Sequence, residues 1–192
     1  MFRKSSPTQA CVFLLIVLMA GCSYGRSVPD SEISALLDSR RGDLETLRDL
    51  MHENPQIVSA GMSSVRITKG SELVEARSIE KYRFEDPIYN QIGQLQQSLG
   101  VRGGIYHCPS QPQIVFLFID CRTEREGLMP ISWCKGLAHS PSSPSPLVRS
   151  LAGAPSETDE MGRAYVGLAD DWYIVWENWS DPRARCGEPK SS

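Results

Sequence analysis

The run Ile114-Val115-Phe116-Leu117-Phe118-Ile119 has no polar residue in either of its two alternating sets. Successive side chains of a strand point to opposite faces, so this run predicts a central strand covered on both sides. The chain around it reads as more of the same sheet. Cys121 follows, then a polar stretch through Gly127, and residues 131–138 make a hairpin partner. Upstream, Ile105-Tyr106-His107-Cys108 is a short strand that stops at Pro109. Downstream, residues 163–169 and 172–179 read as a hairpin over Asp170-Asp171. Earlier still, residues 57–68 hold Ile57, Val58, Val65 and Ile67 among small residues and predict one or two strands. Lys69-Gly70-Ser71 signals a turn, and residues 72–83 lean towards a strand.

Two segments are helical instead. At residues 87–99, Ile88, Ile92, Leu95 and Leu99 recur at helical spacing. Asp86 is placed to cap that helix, Pro87 takes its first position, and Gly100 suits its end. Residues 31–53 carry Ile33, Leu36, Leu37, Leu44, Leu47 and Met51 on one face and charges on the other. Asp30 is the expected N-cap, Gly42 a point of interruption, and Pro55 a stop. A short helix is expected at 146–152, after a serine–proline loop at 140–146. The fold class is α+β, two main helices packed on a largely antiparallel, disulfide-stabilised sheet.

The first residues have another character. Arg3 and Lys4 precede an apolar run from Ala10 to Leu18, and small residues lead to Cys22. That is the layout of a secretory signal peptide, and the run is shorter than the ~20 residues a membrane span needs. Leu18-Met19-Ala20-Gly21-Cys22 resembles the lipobox of bacterial lipoproteins, with Met19 standing where leucine is most common. The resemblance covers the first 22 residues. It implies cleavage before Cys22, acyl chains on that cysteine, and attachment to a membrane. Two or more acyl chains hold a protein where one holds only marginally. Ser23, in place of the aspartate that retains lipoproteins at the inner membrane, implies the outer membrane, with the domain facing the periplasm or cell surface. The expected layout is a signal at 1–21, a lipidated tether at 22–30, one globular domain at 31–186, and a disordered tail at 187–192. Loss of Arg3 and Lys4 takes the net charge from −3 to −5, and no basic stripe invites nucleic acid.

Of six cysteines, Cys11 leaves with the signal and Cys22 carries lipid, so Cys108, Cys121, Cys134 and Cys186 remain. Four cysteines in an exported chain predict two disulfides. No Cys-x-x-Cys pair supports the rival reading, a zinc site. Three pairings are possible, and the hairpin near Gly127 favours Cys121 with Cys134 and hence Cys108 with Cys186.

No catalytic set assembles from the remaining residues, and no metal or organic cofactor is expected. Trp172, Trp176 and Trp179, with Tyr173, form the densest aromatic group and a candidate surface for stacking against sugars. Alternation puts Trp172, Ile174 and Trp176 on one face and Tyr173, Val175 and Trp179 on the other, which suits a buried strand better. His52, His107 and His139 offer no Cys–His pair, because His107 and Cys108 are neighbours on a strand. Asp120, Asp170, Asp171 and Glu177 sit near strand ends, where acidic residues are ordinary. The function expected is a non-catalytic envelope lipoprotein that presents its domain to a protein or envelope partner, such as an immunity or inhibitor protein. The alternatives are a cell-wall hydrolase and a small-ligand-binding lipoprotein.

Overall fold

A computed structural model describes residues 27–108, 111–126, 129–153, 155, 157–159 and 162–178. In chain order the elements are α1 Asp30–Glu53, β1 Ile57–Ala60, β2 Ser64–Lys69, β3 Glu72–Arg77, α2 Pro87–Leu99, β4 Gly104–Cys108, β5 Gln111–Glu126, β6 Met129–His139, β7 Arg163–Gly167 and β8 Trp172–Asn178. The strands form one eight-stranded sheet in the order β3-β2-β1-β4-β5-β6-β8-β7. Every neighbouring pair is antiparallel, and the fold is α+β.

The apolar run lies at the centre, and both of its faces are buried. Val115 and Leu117 belong to a cluster that includes Ile33, Leu37, Leu44, Leu47 and Met51 of α1 and Ile92 and Leu99 of α2. Phe116 and Phe118 belong to a second cluster with Cys134, Ala138, Tyr165 and Val175. Two of the turns follow from backbone preference. Gly70, with φ of 63°, joins β2 to β3 in register Lys69 opposite Glu72. Asp170 and Asp171, with φ of 54° and 62°, turn β7 into β8, as a hairpin turn with two left-handed residues requires.

Helix α2 begins where Asp86 accepts the Ile88 N–H at 2.8 Å and ends at Gly100, with φ of 69°. Its face is rotated from the apolar count. Ile88 is partly exposed, whereas Gln96 is buried and donates from Nε2 to the Ala60 carbonyl at 2.7 Å. Helix α1 is interrupted at Arg40, with φ of −129°, rather than at Gly42. The Arg40 guanidinium there bonds Asp43 and also reaches the Ser98 carbonyl at the end of α2.

Two expectations need correction. Residues 146–152 are not helical, because their backbone donors are used elsewhere: Val148 N–H bonds the Tyr165 carbonyl and Leu151 N–H bonds Asp30. Asp30 is the first helical residue, Pro29 precedes it, and the Asp30 carboxylate leaves the helix end for another partner. That partner is Lys135 of β6. The Lys135 side chain is 0% exposed, and its Nζ lies 2.6 Å from Asp30 Oδ1. It also donates to the carbonyls of Val28 at 2.8 Å and Leu151 at 2.7 Å. An ammonium in the interior is tolerated only when it is bonded and paired, and here two carbonyls accept from it and the Asp30 carboxylate balances its charge. Burial alone would raise the Asp30 pKa. The hydrogen bonds from Lys135, Leu151 and Ser150 outweigh that and hold the carboxyl below its ordinary value.

Breaking this contact should cost far more than breaking a surface pair. Lys135→Ala is expected to lower the unfolding free energy by about 3 kcal/mol, as for a disrupted buried pair. Arg83→Ala, at an exposed pair with Glu80, is expected to cost under about 1 kcal/mol. Urea unfolding of both variants measures the contrast.

Candidate functional site

Cys121 and Cys134 face each other across β5 and β6 and are disulfide-bonded, with Cα atoms 4.1 Å apart. Cys22, Cys186 and the side chain of Cys108, and with them the expected lipidation and the Cys108–Cys186 bond, lie outside what is described. Trp172 and Trp176 sit in the core cluster at 1% and 7% exposure. Neither offers a stacking surface, because β8 is an inner strand between β6 and β7 and both side chains are buried in the apolar cluster that includes residues of α1 and α2. Trp179 lies outside the described residues.

The carboxylates do not converge. Asp120 holds the Arg122 guanidinium at 3.0 Å and accepts the Val28 N–H at 3.3 Å. Asp170 pairs with Arg41 at 2.8 Å. Glu177 pairs with Arg163 at 2.9 Å, both nearly fully buried, and the Arg163 guanidinium lies 4.5 Å from the centre of the Phe116 ring. The carboxylates thus have structural partners on three separate parts of the sheet.

The histidines do converge, which sequence spacing did not reveal. His107 and His139 flank Val115 on one cross-strand row, and the His52 ring at the end of α1 lies 6.2 Å from that of His139. The His139 ring also meets Trp172 edge-on at 5.2 Å, and its Nε2 lies 3.4 Å from the Arg48 guanidinium. Both ring nitrogens of buried His107 and the indole nitrogen of Trp172 have no hydrogen-bond partner among the described residues. The Pro55 carbonyl is near the His107 ring but outside good hydrogen-bonding geometry. Among the described residues no group of three or more His, Cys, Asp or Glu side chains has the geometry to hold a metal ion.

A groove lies elsewhere on the surface. Its volume is about 630 Å³, and it sits where the end of β3 meets the start of α2. Phe84 and Tyr89, packed edge to face at 6.4 Å, line it with Ala76, and Ile79 stands over it at 63% exposure. Glu85 and Asp86 add two carboxylates to the same lining. The wall is held firmly. Tyr82, with φ of 61°, bonds the Met62 carbonyl through its N–H and the Val101 carbonyl through its hydroxyl. Its own carbonyl rests against Gly93, where an added Cβ would come within 2.9 Å. Only the turn at Gly70 and the cap at Asp86 hinted at this corner in the sequence.

Comparison with protein-family models, curated proteins and solved structures finds no match to this chain. Among the described residues no helix is long and apolar enough to cross a membrane.

The histidine group makes stability depend on pH. Burial pushes the His107 imidazole below its ordinary pKa, the nearby Pro55 carbonyl opposes this, and the charge of His52 adds to the lowering. Burial also lowers His139, helped by Arg48 and His52 and partly opposed by Asp171 and Asp49. Both rings are therefore neutral in the fold and bind protons on unfolding. Their stabilisation is complete above the unfolded value of about 6.5 and is lost as pH falls through the lowered folded values. Thermal unfolding should show the midpoint dropping between about pH 7.5 and pH 5, with a smaller drop in His107→Phe. An unchanged pH profile in that variant would remove His107 as the cause.

Proposed function

We propose that the chain is an exported, lipid-anchored envelope protein whose domain binds a protein partner and does no chemistry of its own. The observation that carries this reading is the Cys121–Cys134 disulfide. Such bonds persist in oxidising compartments and are rare in the cytosol. It agrees with the lipobox-like Leu18-Met19-Ala20-Gly21-Cys22, which would place acyl chains on Cys22 at the outer membrane. In this reading the two helices pack as a layer on one face of the sheet, an arrangement supported by their shared apolar cluster. An immunity or inhibitor protein is one form such a tethered domain takes.

Metabolic labelling with palmitate, followed by detergent phase partition, tests the anchor. The intact protein should be labelled and enter the detergent phase. Cys22→Ser should be unlabelled and remain in the aqueous phase. Equal labelling of the two would overturn the assignment of Cys22.

A further inference from the structure

The sheet has two edges, and they are treated differently. At β7 the outward backbone groups are already bonded. Tyr165 N–H donates to the Pro146 carbonyl at 3.1 Å, and the Tyr165 carbonyl accepts from Val148 at 2.7 Å. Arg163 N–H donates to the Asp159 carboxylate at 2.8 Å, and the Arg163 carbonyl accepts from Asp159 N–H at 2.7 Å. At β3 nothing comparable is found among the described residues. In a hairpin closed by a two-residue turn the flanking pair is hydrogen-bonded and alternate residues point away. With Lys69 opposite Glu72, the outward residues are Leu73, Glu75 and Arg77. An uncovered edge is a template for another strand, and proteins ordinarily blunt it.

We infer that β3 is a docking edge for an extended segment of a partner protein, which adds as a ninth strand and lays an apolar side chain in the groove beside Phe84 and Tyr89. This inference rests on the reading of the domain as a partner-binding module. The backbone pattern of Leu73, Glu75 and Arg77 calls for an extended polypeptide rather than a helix or a small ligand. Val74 and Ala76 lie opposite buried Ile67 and Val65, so an added strand continues the helix-side face towards the groove. Arg77 lies 3.6 Å from Glu75, whereas neither Glu85 nor Asp86 is in an ion pair among the described residues. The complementary segment therefore alternates apolar and basic residues. A second copy of this chain fits poorly. A two-fold pairing centred on Glu75 opposes that carboxylate to itself, and like charges directly opposite destabilise a sheet.

The test uses the full disulfide-bonded chain in detergent and a displayed library of short random peptides. Enriched peptides should be extended, with a basic residue near an apolar one. Bound peptide should slow the exchange of the Leu73, Glu75 and Arg77 amides. Glu75→Pro removes one outward N–H while sparing the bonds to β2 and should weaken binding at least about tenfold. Ile79→Ser changes an exposed residue and should weaken binding with an unchanged melting temperature, which covers a folding defect in Glu75→Pro. Peptides that bind both variants as tightly as the parent would overturn the inference, as would self-association that Glu75→Pro abolishes. Loss of palmitate labelling with peptide binding intact would overturn the anchor alone.

Discussion

Lys135 is the contact on which the arrangement of the chain depends. A buried ammonium must find acceptors, and those it finds come from distant parts of the sequence: Val28 and Asp30 at the start of the domain and Leu151 in the segment between β6 and β7. Asp120 reinforces the same junction by accepting the Val28 N–H. The desolvation of the ion and its attraction to Asp30 largely offset each other, so breaking the contact costs more than forming it contributes.

From this junction the sheet extends unequally. On one side lie β8 and β7, whose edge is closed by residues 146–148 and Asp159. The course of residues 146–151 that closes the edge is the one Lys135 and Asp30 hold. On the other side lie β4, β1, β2 and β3, ending in backbone groups that face outward. The corner of β3 and α2 is closely packed where the Tyr82 carbonyl meets Gly93 and Phe84 meets Tyr89, so the groove beside the edge is formed without a ligand. Preformed surfaces bind more tightly because less ordering is lost on association.

The local signals in the sequence were legible. Asp86, Pro87 and Gly100 bound a helix because capping is a property of neighbouring residues. Asp170-Asp171 forms its turn, and Cys121 meets Cys134, for the same reason: a hairpin's register follows from its turn. What depends on distant partners was not legible. Asp30 reads as a cap until Lys135 is placed beside it, and residues 146–152 read as a helix until β7 takes their donors. Lys135 itself has the look of an exposed strand residue, and alternation gives no sign that acceptors wait on its face. Strand order is set by long-range pairing, so neither the open edge nor the meeting of three histidines is written in any single segment.

Residue-resolved amide exchange of the unliganded protein in dilute solution tests the asymmetry of the two edges most directly. The Val148, Arg163 and Tyr165 amides should be strongly protected, and those of Leu73, Glu75 and Arg77 should exchange at rates close to those of an open chain. Protection of Leu73, Glu75 and Arg77 equal to that of Tyr165 would show that β3 is already covered and would contradict that asymmetry.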